Sequence, residues 1–394
     1  MLHWLRGGLA ILLLVVLLVG SSRASGHQFG GGPNGGVSSY IPTFQDAPCP
    51  FALGADIVDG QQVRCGYVTV PQNRAVNNGK TVKLAVAIYK SQRYMYSVDP
   101  APDLRLEGGP GISDLNGGMS TITAANYNKW VFNHDLVFFD QRGTGYSTPS
   151  LDCFGQPVYA CYDRLVSSGI DPGNFNTSEN TADVVDIIHA LGYQQMILYS
   201  VSYGARLALA VMRLHPELVR AAVLDSAYLP NHNRDEQAAS AQRAFTALFQ
   251  SCAADPDCNA KYPNLQSVFE HEVDQLNAHP ISFNLLMPGS TQPHPITGLT
   301  GDQWVKILLR TLYYTSLIPA LPKSISRIPQ LIYQIKNHIY NWLVALPKSV
   351  EFEAGTISTG VFYSVECSED WPFLTQQDVV NSLQGVTPQI ARAI

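Results

Sequence analysis

The stretch Met196–Pro216, MILYSVSYGARLALAVMRLHP, admits few folds. Its first residues, Met196-Ile197-Leu198-Tyr199, are a short apolar run that suits a buried strand, and Leu207, Ala208, Val211, Met212 and Leu214 then fall at helical spacing. Between them Ser200-Val201-Ser202-Tyr203-Gly204 must turn the chain sharply, and small residues around Ser202 let strand and helix meet without side-chain collision. A serine at such a bend projects its hydroxyl from the tip, at the positive end of the following helix. It can attack a carbonyl carbon, with the backbone N–H of Tyr203 placed to stabilise the oxyanion that forms. The pattern departs from G-x-S-x-G at its first position, where Ser200 stands for glycine. An ordinary strand-to-helix turn would read the same way, so the surroundings decide.

At 394 residues and 46% hydrophobic content the chain can bury a large core, as one domain with an insertion or as two domains. A net charge of -6, with no basic stripe interleaved with aromatics, argues against nucleic-acid binding. Residues 1–25 read as a signal peptide: Arg6, an apolar run from Leu9 to Val19, then Ser22-Arg23-Ala24. The run is too short to span a bilayer comfortably, so export is expected, with an uncleaved membrane anchor as the other outcome. Residues 26–48 are rich in Gly, Pro and Ser and read as a flexible leader. Seven cysteines fit an oxidising compartment. Cys49 with Cys65, Cys153 with Cys161 and Cys252 with Cys258 would make three local bridges and leave Cys367 over, although spacing alone does not fix connectivity. No His/Cys/Asp set has metal-ligand spacing, so neither a metal nor another cofactor is expected.

Tyr67 to Val70 and Val82 to Tyr89 read as strands. Leu104-Arg105-Leu106 reads as another and runs into Glu107-Gly108-Gly109-Pro110-Gly111, a loop whose unobstructed N–H groups at Gly108, Gly109 and Gly111 suit a second oxyanion donor. A strand at Leu136 to Phe139 leads into Asp140-Gln141-Arg142-Gly143-Thr144-Gly145-Tyr146-Ser147. EGGPG, DQRGTGYS and SVSYG, in this order, resemble the α/β-hydrolase superfamily, and within it the secreted proline-iminopeptidase and tripeptidyl-aminopeptidase-like branch. CPF and RCGYVTVP around Cys49 and Cys65 are similar to the start of that branch's mature enzymes. The resemblance covers residues 49–230. It implies an α/β fold with a mostly parallel sheet flanked by helices, a helical cap inserted at 231–349, and a return to the core over 350–394. It also implies a serine peptidase that cleaves small peptides at a free N-terminus through an acyl-enzyme on Ser202.

Thr181 to Leu191 carries Val184, Val185, Ile188 and Leu191 on one helical face, with Thr181 as the expected N-cap and Gly192 as the stop. His189 on this helix suits a surface or packing role. Val219 to Leu224 reads as a strand ending at Asp225. Ala238 to Leu248, Leu265 to Leu276 and Trp304 to Tyr314 have helical spacing, and Pro319, Pro322 and Pro329 break the apolar stretch around them. That stretch could instead touch a membrane, but the prolines preclude one long amphipathic helix. Phe362 to Phe373 resembles the family's return from cap to core. Glu366, Glu369 and Asp370 there are candidate anchors for a substrate's α-ammonium, or else solvated acids around a disulfide.

A serine nucleophile needs a histidine to take its proton and an acid to orient that histidine, in the chain order Ser, acid, His. The last histidine is His338, and His232, His271, His279 and His294 also lie in the insertion, away from the family's catalytic position. Asp225 is the candidate acid. The expectation is therefore a C-terminally truncated hydrolase that lacks its last core strands and the partner of Cys367, and exposes sheet edge. Loss of the base lowers turnover on the order of a millionfold, leaving roughly a thousandfold over water. Two other readings stay open: an esterase or other small-molecule hydrolase, and a non-catalytic secreted binding protein on a degenerate hydrolase fold.

Overall fold

A computed structural model describes residues 40–76, 78–91, 100–116, 119–131, 133–230, 236–286, 293–312, 325–340 and 357–394. The signal segment, most of the leader, Pro319, Pro322 and His232 lie outside the described residues.

Strand β1 (Phe44–Asp46) edges β2 (Val63–Pro71), which forms an antiparallel ladder with β3 (Thr81–Tyr89) from Val63 opposite Tyr89 to Pro71 opposite Thr81. The chain continues through β4 (Asp103–Leu106), a short helix α1 (Tyr127–Trp130) and β5 (Leu136–Phe139). Helices α2 (Val158–Ser167) and α3 (Thr177–Ala190) lead to β6 (Met196–Val201), then α4 (Tyr203–Leu214) and β7 (Val219–Asp225). The sheet order is β1-β2-β3-β5-β4-β6-β7; β5, β4, β6 and β7 run parallel. Leu104, Leu106, Met196 and Leu198 have no exposed surface and meet Val184, Ile187, Ile188, Leu207 and Val211 of α3 and α4. Burying each such side chain contributes about 1.5–3 kcal/mol. At the sheet's edge β7 is open, with Val223 48% and Leu224 37% exposed.

Helix α3 begins earlier than Thr181. Asn176 caps it by accepting from the Glu179 N–H, while Thr181 sits inside, its hydroxyl donating to the Thr177 carbonyl. The Asn176 side chain satisfies a first-turn amide that Thr181 could not reach, and Gly192 (φ +79°) follows the helix end as expected.

The second part of the molecule is built from α5 (Gln237–Ala254), α6 (Pro256–Lys261), α7 (Leu265–Ala278), a hairpin of β8 (Ile281–Leu286) and β9 (Pro293–Leu299), α8 (Gly301–Leu312) and α9 (Ile328–Lys336). Phe245, Phe269, Val273, Trp304, Leu308, Ile328 and Ile332 form its core. The hairpin was not expected; its second strand carries Pro293 and Pro295, a residue type uncommon inside strands. The apolar faces of α8 and α9 are spent on this core, and no helix among the described residues is long and apolar enough to cross a membrane. Residues after 357 divide between the two parts. Helix α10 (Thr359–Glu369) buries Val361 and Val365 in the sheet's core, α11 (Gln376–Ser382) follows, and α12 (Pro388–Ala393) puts Ile390 and Ala393 into the helical core. Disulfides join Cys49 to Cys65, Cys153 to Cys161 and Cys252 to Cys258; Cys367 on α10 is free and exposed.

Arg142 ties the loop after β5 to α3. Fully buried, it donates Nε and Nη2 to the two Asp183 oxygens at 2.7 Å each, and Nη1 to the Gln72 and Asn174 carbonyls at 2.8 and 2.7 Å. Arg142→Met leaves the buried Asp183 carboxylate with Arg74 Nη2 (2.7 Å) alone and strands the Gln72 and Asn174 carbonyls. It is expected to cost about 3–5 kcal/mol in urea unfolding.

Candidate active site

Ser202 occupies the bend between β6 and α4 with φ 54° and ψ -117°, a conformation that costs an L-residue about 1–3 kcal/mol and persists only when its surroundings enforce it. The surroundings are specific. The Ser202 N–H donates to the Asp225 carbonyl (2.9 Å), and its carbonyl accepts from Ala205 (3.0 Å) and Tyr228 (3.2 Å). Ser200, in the place usually held by glycine, is fully buried and its hydroxyl donates to the Val223 carbonyl at 2.7 Å. Glycine is required at 204, because a Cβ there would run into the Leu106 carbonyl at the end of β4. The amide of Tyr203 is in the first turn of α4, where N–H groups have no helical partner. Its side chain is buried, and the hydroxyl contacts Thr177 Oγ1 at 2.9 Å.

The loop after β4 lies directly against the bend. A Cβ on Gly108 would sit 3.0 Å from Ser202 Cβ and 3.6 Å from its Oγ. Gly109 (φ +113°) and Gly111 (φ +104°) hold backbone conformations that other residues rarely adopt. The Gly108 N–H is 3.2 Å from Glu107 Oε1. What fixes this loop is the segment after β5. Asp140 accepts from Ser113 Oγ (2.7 Å), the Leu115 N–H (3.1 Å) and the Tyr146 N–H (2.7 Å), and Gln141 Nε2 donates to the Glu107 carbonyl (2.8 Å). Sequence reading found DQRGTGYS by resemblance but missed this role. The available signal was adjacent Asp and Gln leaving a buried strand, where polar side chains must find partners.

Asp114, at the end of the same loop, is buried with Oδ2 unpartnered, while Oδ1 is 3.1 Å from Arg105 Nε. Burial, with Glu107 and Asp140 nearby, outweighs the attraction of Arg105 and holds its carboxyl well above the usual carboxylate range. A group with a raised folded-state value stabilises the fold below its unfolded value, near pH 4, and loses that contribution as pH rises through the folded value. Asp114→Asn, neutral throughout, should therefore raise the thermal midpoint at pH 7–8 and change little near pH 4. A midpoint lowered at neutral pH would contradict this.

Asp225 ends β7 beside the bend; its carboxylate accepts from Ser226 Oγ at 2.9 Å and is exposed. Glu366 is fully buried on α10. Glu369 accepts from the N–H and hydroxyl of Thr177, both at 2.6 Å, and burial pushes its carboxyl up. Asp370 takes both Arg206 Nη groups at 3.0 Å and the Tyr228 hydroxyl at 2.9 Å. Glu369 and Asp370 would each have to share a protein partner to bind an ammonium ion.

Among the described residues no side chain hydrogen-bonds Ser202 Oγ. His134 Nδ1 contacts the Ala101 carbonyl, ahead of β4 and β5. His189 is in the last turn of α3, His215 caps α4 near Glu217, His279 caps α7, and His338 contacts Tyr340. No group of three potential metal ligands is gathered among the described residues. The arrangement offers a hydroxyl on a strained bend, a helix-start amide beside it and a glycine loop over it.

A model described as alpha/beta hydrolase fold matches residues 105–342. The chain is similar to tripeptidyl aminopeptidase of Streptomyces coelicolor, 29% identical over 198 residues, covering 44% of this chain and 36% of that protein. It is similar to serine protease Hip1 of Mycobacterium tuberculosis, 26% identical over 231 residues, 50% of this chain and 42% of the relative. Proline iminopeptidase of Neisseria meningitidis is 30% identical over 131 residues, 33% of this chain and 34% of the relative. The matches thus span well under half the length of each of these relatives.

Proposed function

We propose, from the premise that the chain belongs to the alpha/beta hydrolase fold family, that it is an exported serine hydrolase in which Ser202 is the nucleophile, acting on peptides with a free N-terminus. The observation that carries this is the left-handed φ of Ser202 at the junction of β6 and α4, under a glycine loop. Such strain is retained where a side chain must be presented. Ser202 Oγ attacks the scissile carbonyl carbon, and the carbonyl oxygen becomes an oxyanion. The Tyr203 amide and the loop of Gly108, Gly109 and Gly111 stabilise its charge while the hydroxyl proton passes to a base. The oxyanion then collapses, the C–N bond breaks as the leaving nitrogen takes up that proton, and water hydrolyses the resulting ester to release the acid and restore the Ser202 hydroxyl. Peptide substrates are supported by the names of the relatives, and export by the apolar N-terminal run and three disulfides. Asp225, whose backbone carbonyl accepts the Ser202 N–H, is the candidate acid in this reading. No histidine among the described residues hydrogen-bonds Ser202 Oγ, so slow turnover is expected.

The test is a panel of aminoacyl- and tripeptidyl-arylamides beside acyl esters, with N-acetylated peptides as controls. Release from free but not acetylated N-termini is expected. Cleavage of esters without any amide would replace the peptidase reading by an esterase, and no cleavage of either would favour a binding protein.

A further inference from the structure

Two groups of contacts, at opposite ends of α10, meet the two halves of the candidate site. At its start the Ser358 N–H donates to the Gly111 carbonyl at 2.7 Å, and Ile357 bridges to Ile112, so the oxyanion loop is bonded to the residues that open the helix. At its end Asp370 receives both Nη groups of Arg206, one turn along α4 from Ser202, and the hydroxyl of Tyr228. Tyr228 is the residue whose N–H holds the Ser202 carbonyl, and its ring lies 5.3 Å from the Arg206 guanidinium. The loop carrying Tyr228 follows the open edge strand β7, with Ser226, Ala227 and Leu229 all exposed. A strained bend needs rigid neighbours, and beside the Asp225 carbonyl at the end of β7, which accepts the Ser202 N–H, they come on this side from α10.

We propose that Asp370 is a positioning residue for the nucleophile: through Tyr228 and Arg206 it fixes both the backbone of Ser202 and the helix behind it. Helix α10, about 16 Å long at 1.5 Å per residue, sets that bend in register with the oxyanion loop. The proposal rests on Ser202 being the nucleophile. It gives the buried pair Asp370–Arg206 a task beyond fastening a helix, since a single carboxylate joins the loop and the helix that grip the reacting serine.

Hydrogen exchange by mass spectrometry on the 394-residue chain tests it, with Asp370→Asn and the milder Tyr228→Phe, which keeps the ring over Arg206. Both variants are expected to exchange faster across 199–206 and 226–230, on the order of tenfold to a hundredfold for Asp370→Asn, which loses charge-assisted bonds. Asp370→Asn should also speed exchange at 108–113, and β2 and β3 should keep wild-type rates. Phosphonylation of Ser202, followed in parallel, should slow in both variants. Unchanged exchange at 199–206 in both variants, or acceleration shared equally by β2 and β3, overturns the proposal. Absence of labelling in the wild type would count against Ser202 as nucleophile and leave the exchange pattern to decide the clamp.

Discussion

Replacing Ser202 by alanine is expected to remove all hydrolysis attributable to the site while leaving the fold intact. The hydroxyl has no hydrogen-bond partner among the described residues, so its loss strands no donor or acceptor, and the bonds that hold the bend are to the backbone of residue 202. Alanine carries the same steric cost as serine at φ 54°, so the strain is unchanged. The catalytic effect is large because no other group replaces a covalent nucleophile. Where triad members have been removed, turnover falls on the order of a millionfold. Thermal melting should move by no more than a degree or two, and the rate of ester or arylamide release should fall to that of buffer. A rate that survives in Ser202→Ala would place the chemistry elsewhere.

Gly204→Ala is expected to have a large structural effect for a single added methyl group. The added Cβ would be driven into the Leu106 carbonyl oxygen and carbon, with the Glu107 carbonyl close behind, all of them backbone atoms at the centre of the sheet. No side-chain rotation relieves such a clash; either α4 lifts off β4 or the bend opens. Overpacking in a tight core costs about 1–3 kcal/mol and more where backbone must move. Loss of soluble expression, or a urea midpoint well below wild type, is the expected result. A variant with wild-type stability would mean that the close approach of α4 to β4 is wrong.

The strand-bend-helix around Ser202 was legible because every local signal agreed: an apolar run, small residues at the turn and a helical apolar face. The parallel strands and the glycine loop were legible for the same reason. What could not be read were arrangements that depend on distant partners. The start of α3 moved because Asn176, four residues after the short turn at Pro172, caps better than Thr181, and only the packed structure shows where the helix can begin. The β8–β9 hairpin was not legible; its second strand carries prolines, which an edge ladder tolerates. Glu369 and Asp370 looked like free acids because their partners, Thr177, Arg206 and Tyr228, lie 142 to 192 residues away in sequence. In the same way the work of Asp140 and Gln141 on the loop before them appears only once β4 and β5 are side by side.

The most direct measurement is peptide mapping after prolonged exposure of the folded chain to a fluorophosphonate. A single phosphonyl adduct on Ser202, slow to form, and absent from Ser202→Ala and from denatured protein, is the expected result. No adduct at Ser202, or an adduct on Ser200 or another serine of the folded protein, would contradict it.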